Sequence, residues 1–240
     1  MVEEIPLPGG RVTSGVVRIG DTVRRPVGPN STFVQALLRH LESVGFPYAP
    51  RFLGLDSKGR QILTFVEGWV PPDLGHFSES QIRQVARIIA AFHEATSGTP
   101  IAGDQEVVCH HDLSPCNFVF RSGVPQCLID FDAAAPGARR LDVGYATWAW
   151  LDIGNADVSP NESGQRLAAM LHAYGPLAPA DPIAAILDAQ RRLAERAVGS
   201  SEFAERVRCW AERCGDWVRD HRDAIEAGLV ASGGLTRRCS

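Results

Sequence analysis

The sequence predicts an α+β chain of two lobes, a small antiparallel β-sheet carrying one helix and then a larger, mainly helical part. Three observations predict it. Alternation and turn residues dominate the first seventy positions, interrupted by one helical stretch. The segment "WVPPDLGH" then reads as a connection stiffened by Pro71 and Pro72. Beyond Pro136 nearly every segment carries helical periodicity. These place the division between residues 1–69 and 70–240, in a chain of 240 residues that is long enough for two lobes sharing a cleft.

Each element has its own signal. "SGVVRIGDTVRRPVG" alternates about a turn at Gly20-Asp21, the mark of a hairpin. "STFVQALLRHLESVG" puts Phe33, Leu37, Leu38 and Leu41 on one helical face, with Ser31 or Thr32 as cap and Gly45 as stop. "PRFLGLDSKGRQILTFVEG" reads strand, turn at Ser57-Lys58-Gly59, strand, so the first lobe runs β-β-α-β-β. "SESQIRQVARIIAAFHEATSG" is a helix capped by Ser78 or Ser80, with Ile82, Val85, Ile88, Ile89 and Phe92 inward. "NFVFRSGVPQCLIDFD" predicts a second hairpin turning at Ser122-Gly123. Four helical segments follow, the last being "EFAERVRCWAERCGDWVRDHRDAIEAG".

Composition narrows the function classes. The net charge of −4 gives no support to a nucleic-acid binder and is mildly compatible with a cationic substrate. No run approaches the length of a membrane-spanning helix, and "MVEEIPLPGG" lacks the features of a signal peptide, so a cytoplasmic protein without membrane contact is expected. The six cysteines lack metal-ligand spacing and read as free or buried thiols. Lys58 is the only lysine. The oligomeric state is left open.

The segment "HHDLSPCN", 110–117, carries the chemistry. A zinc site is disfavoured because adjacent histidines diverge and no partner cluster exists. A serine hydrolase is disfavoured because no G-x-S-x-G elbow is present. Phosphoryl transfer to an alcohol fits. It needs a carboxylate near the attacking hydroxyl and oxygen ligands for a divalent cation. Asp112 and Asn117 have the D-x-x-x-x-N spacing, His110 precedes them, and "CLIDFD" ends a buried run on Asp130. Either half alone occurs by chance; together, around a hairpin and inside a two-lobe pattern, they point to a phosphotransferase.

"HHDLSPCNFVF…CLIDFDAAAPGARRLDVGYA" resembles the signature of the aminoglycoside phosphotransferase and choline kinase-like family. "FVEG" at 65–68 resembles that family's strand-to-hinge segment, "IIAAFHEAT" its L-x-x-L-H helix, and the likeness covers nearly the whole chain. The "GVVR" and "GDTVRRP" segments are similar to the branch that includes trifolitoxin immunity-like proteins. The family's "HGD" is "HHD" here, His111 standing for Gly. The resemblance implies a protein-kinase-like bilobal fold with ATP between the lobes. Asp112 is then catalytic, Asn117 and Asp130 hold Mg2+ (manganese suits the same donors), and Glu67 lies at the nucleotide's hinge. The acceptor is a hydroxyl-bearing small molecule, with aminoglycoside-type antibiotics among the candidates.

The first lobe departs from the family's pattern. The lysine expected on the third strand falls at "TVRRP", so Arg24 or Arg25 must substitute, and alternation leaves open which enters the cleft. The following helix offers Gln35 where an acid is expected. Gly9 and Gly10 in "PLPGGRVTSG" are the candidates for a phosphate-covering loop, against an ordinary turn. Asp152 and Asp157, with Glu162, are the candidate acceptor-site acids, although they sit in a segment that also reads as a solvated loop. Trp148, Trp150, Trp210 and Trp217 read as core, and Asp142 as an acid supporting the catalytic loop. The missing lysine–glutamate pair keeps a rival open, a catalytically weak or inactive binding or immunity protein on the same fold.

Overall fold

Residues 3–7, 15–155, 157–199 and 201–233 are described by the structure, a computed structural model. The first lobe is a five-stranded antiparallel sheet. Its strands are β1 (Ile5–Pro6), β2 (Val17–Ile19), β3 (Thr22–Arg25), β4 (Phe52–Leu55) and β5 (Gln61–Thr64), in the order β1-β2-β3-β5-β4. β2 and β3 pair Val17 with Arg24 and Ile19 with Thr22, so the chain reverses in two residues. Gly20 supplies the left-handed φ of 57° that this reversal needs.

Between β3 and β4 runs α1 (Ser31–Ser43), which buries Val34, Leu37, Leu38 and Leu41 along one stripe. Its cap differs from expectation. Asn30 holds the N-cap position without a side-chain cap bond, and Ser31 lies inside the helix. Asn30 Nδ2 instead donates to the carbonyls of Asp132 and Ala134, both at 2.9 Å, tying the sheet lobe to the other lobe. The tertiary bonds displace the local cap.

The helical lobe starts with α2 (Glu79–Thr96). Ser78 and Gln81 close a full capping box, and Ile82, Val85, Ile88, Ile89 and Phe92 are buried as the periodicity requires. Two short antiparallel pairs follow. β6 (Val107–Cys109) pairs with β9 (Ala135–Gly137), and β7 (Phe118–Arg121) pairs with β8 (Val124–Leu128). The second turns through Ser122 at φ 51° and Gly123 at φ 76°, as the sequence suggests. The β6–β9 pair was not foreseen, because three-residue strands carry too little alternation to register.

The remaining helices are α3 (Arg139–Leu151), α4 (Pro160–Tyr174), α5 (Pro182–Arg196), α6 (Glu202–Asp220) and α7 (Arg222–Ala231). The last expected helix is thus two, broken at His221. Trp148 and Trp150 on α3 are buried with Phe92, Phe118 and Phe131, and Trp150 Nε1 donates to the Leu113 carbonyl at 2.9 Å. Core packing therefore reaches directly under the 110–117 loop. The chain passes between lobes at Trp69, which exchanges backbone bonds with Phe120. A side chain at Gly68 would strike the Phe120 carbonyl, and its φ of 154° already excludes most residues. No helix of the described residues is long and apolar enough to cross a membrane.

Candidate active site

The 110–117 loop is held from below by one buried carboxylate. Asp142, in the first turn of α3, accepts from the backbone N–H of His110 at 2.7 Å and of His111 at 2.8 Å. His93 on α2 contacts the same carboxylate at 3.0 Å, and Tyr174 meets the other ring nitrogen at 2.7 Å. Burial alone pushes the Asp142 carboxyl up; the hydrogen bonds from His93 and the His110 amide outweigh it and hold the group below its ordinary range. An ionised Asp142 fixes His93 as the Nε2–H tautomer, leaving Nδ1 to accept from the tyrosine. Cys109 lies close by, but the bonds of His93 and Asp142 make this cluster a support for the loop.

His111 takes a left-handed φ of 63°. That conformation is why glycine suits the position in "HGD", and a histidine there carries a strain of about 1 kcal/mol. Burial lowers the His111 pKa, with Arg196 and Arg192 adding to the shift and Asp142 opposing it.

Asp112, Asn117 and Asp130 line one cavity of about 970 Å³. Tyr145 on α3 donates its phenol O–H to Asp112 Oδ1 at 3.0 Å. Asn117 Nδ2 donates to the Asp112 backbone carbonyl at 2.8 Å, which leaves the amide oxygen to serve as a ligand. Its backbone carbonyl accepts from Ile129 N at 2.9 Å, so loop and β8 end are locked together. Asp130 follows, also left-handed at φ 63°, while Phe131 anchors it by packing between Phe92 and His110. A carboxylate and an amide oxygen lining one cavity with a second carboxylate are hard donors of the kind that suits Mg2+.

From the sheet lobe, Arg25 enters the cleft. Its Nη2 donates to Asp130 Oδ1 at 2.8 Å and to Asp132 Oδ2. Arg24 faces the other side of β3, toward Thr22 Oγ1 at 2.6 Å and Asp56 at 3.8 Å. The alternation of a strand thus separates the two arginines. Gln35 does not reach Arg25; its amide donates to Gln61 at 3.4 Å. Glu67 is exposed on the hinge and does not line the cavity. Gly9 and Gly10 lie outside the described residues.

The helical wall of the cavity does not carry the acids expected for an acceptor site. Asp152 ends α3 and accepts from Asn155 Nδ2 at 2.8 Å, while Asp157 and Glu162 are exposed near the start of α4; none of the three lines the cavity. The wall is built instead by α5 and α6, with Arg192, Arg196 and Trp210 facing the opening. Trp210, read as core, lines the cavity and stacks on buried Trp148 with centroids 4.4 Å apart. Tyr145, Asp132, Arg192 and Arg196 escaped the sequence reading. Tyr145 lies one turn after Asp142 on the same helix, and Asp132 two residues after Asp130, so a signal existed for both. The arginines had none, because only the folded α5 shows what they face.

A kinase-like bilobal fold whose cleft gathers two aspartates and an asparagine has the donor set of a phosphotransferase. The family model described as "Phosphotransferase enzyme family" matches residues 69–195. The chain is 32% identical over 264 residues to the trifolitoxin immunity protein of Rhizobium leguminosarum bv. trifolii, with 96% of this chain and 100% of that protein covered. This chain therefore belongs to the phosphotransferase enzyme family. Its fold is similar to that of a choline/ethanolamine kinase family protein from Mesorhizobium loti, at TM-score 0.56 and 14% identity, covering 90% of this chain and 89% of that one. It is also similar to ADP-bound aminoglycoside phosphotransferase APH(2'')-Ib, at TM-score 0.56 and 13% identity over 96% and 94% of the two chains.

Proposed function

We propose that this protein transfers the γ-phosphate of ATP to a hydroxyl of a small molecule, with magnesium as the assisting ion. Residues 1–69 form the nucleotide lobe, and 70–240 carry the catalytic loop and the acceptor site. The observation that carries the reading is the convergence of Asp112, Asn117 and Asp130 on one cavity beneath an arginine from β3. Asn117 and Asp130 would hold the metal, which when bound neutralises phosphate charge. An ADP-bound neighbour of the same fold supports a nucleotide between the lobes.

The chain's own groups have separable tasks. Asp112 orients the acceptor hydroxyl, and Tyr145 fixes the rotamer of that carboxylate through its hydrogen bond. Arg25 reaches the phosphates from above; its planar fork replaces the usual lysine ammonium. In the transfer the acceptor oxygen forms the new O–P bond as the bond to the β-phosphate oxygen breaks. ADP leaves with the bonding pair, and the hydroxyl proton departs through Asp112. The five described cysteines are all free, as a reducing compartment permits, and the proposal places the enzyme in the cytoplasm.

A second reading, binding without efficient transfer, is favoured by one feature. Arg25 is already ion-paired with Asp130 and Asp132, so a metal must compete for Asp130. The relative named for immunity to a toxin is compatible with either reading. Asp112→Asn separates them. We expect native protein to release ADP in the presence of acceptor, and the variant to lose transfer by about a thousandfold while still binding Mg·ATP. Unchanged transfer in the variant removes Asp112 from the chemistry. Absence of transfer in native protein, across a broad panel of alcohols, favours the second reading.

A further inference from the structure

The acceptor side of the cavity is cationic and apolar. Ala189, Arg192, Leu193 and Arg196 follow one another at helical spacing along α5, and all four line the cavity. Arg196 has no ion-pair partner among the described residues. Arg192 donates to Asp188 at 2.9 Å, but Asp188 also serves Arg140 and Arg191. Those three hydrogen-bonded guanidiniums outweigh the effect of burial and hold the Asp188 carboxyl at about 2. Along α5 three arginines, Arg191, Arg192 and Arg196, thus face two carboxylates, Asp188 and Glu195, and Arg140 of α3 adds a fourth guanidinium on Asp188. Among the described residues, Asp73 is the only carboxylate lining the cavity besides Asp112 and Asp130.

Two large side chains of the same lining are exposed, Trp69 at 58% and Phe203 at 53%. Exposed aromatic surface in a concave wall is costly unless a ligand covers it. A polycation would meet Arg192 and Arg196 with like charge, against which the lining sets Asp73 and the aromatic faces.

We infer that the acceptor is an amphipathic hydroxy acid: an apolar body against Trp69, Phe203 and Trp210, a carboxylate on the Arg192 and Arg196 guanidiniums, and a hydroxyl toward Asp112. The inference rests on the phosphotransferase reading and names the substrate class of its site. Guanidinium forks match a carboxylate bidentately, which selects both charge and shape. The departure from an acid-lined acceptor pocket lies in α5, because the loop holding Asp152 and Asp157 does not contribute to this wall.

The test is a charge series on one body: ω-hydroxydecanoate, decanediol and ω-aminodecanol. Binding is followed by intrinsic fluorescence, since Trp69 and Trp210 line the site. The carboxylate is expected to bind about tenfold more tightly than the diol, and the amine more weakly than either. Arg196→Gln, a change at an exposed residue, should remove most of the carboxylate's advantage and leave diol binding unchanged. The Arg192→Gln variant serves as an independent second probe with the same expected direction. Tightest binding by the amine, equal binding across the series, or a carboxylate preference intact in both variants overturns the inference. Because the readout is binding to nucleotide-free protein, a failure of the ATP reading shows separately, in a parallel titration with Mg·ADP.

Discussion

Asp142 shows how one side chain can organise the 110–117 loop without lining its cavity. Fully buried, it accepts from the amides of His110 and His111 and from the His93 ring. Replacing it by alanine strands those donors in the interior, and the expected cost is about 3 kcal/mol or more. Urea unfolding at neutral pH measures it. The pH dependence has a definite sign. The folded carboxyl lies below the ordinary value of 3.8, so the unfolded chain binds the proton first. The contribution is complete above that value and drains away as the pH falls through the folded pKa. Asp142→Ala should therefore lose stability less steeply than native protein as the pH falls through 3.8 and below. Equal acid slopes in the two proteins would mean that the fold does not hold the Asp142 carboxyl below its ordinary value.

At the scale of elements, close helix approach sets the α5 wall of the cavity. Gly144 on α3 lies against the Ala185 carbonyl of α5, where a methyl group would meet backbone. Gly144→Ala must push α5 away, and with it Arg192 and Arg196. The expected loss is about 1–3 kcal/mol by thermal melting, together with weaker binding in the cavity. A variant that melts as native protein does would show that this contact is loose. Elements also mark how far the sequence could be read. Stripes such as Ile82, Val85, Ile89 and Phe92, and turns such as Ser122-Gly123, were legible because they are local. The β6–β9 pair was not, because its partners are far apart in sequence and three residues long. The α1 cap was misplaced because Asn30 spends its side chain on the other lobe.

At the scale of the whole molecule, function depends on what the two lobes bring together. The spacing of Asp112, Asn117 and Asp130 was legible because one hairpin holds all three. The choice between Arg24 and Arg25 was not, since it depends on which face of β3 looks across the cleft. The α5 wall of the cavity was not legible either, because α5 meets the loop only after the helical lobe has packed. Arg25, Asn30 and Trp69 make cross-lobe links, as do His40 with the Ala95 carbonyl and the Leu128 amide with the Tyr48 carbonyl, and Arg25 reaches the very carboxylate that the proposal gives to the metal. The most direct test of that proposal is a calorimetric titration of Mg·ATP into native protein and Asp130→Ala. Saturable binding to native protein, weakened by about tenfold or more in the variant, is the predicted result. Equal binding to both proteins, or none to native protein, would contradict it.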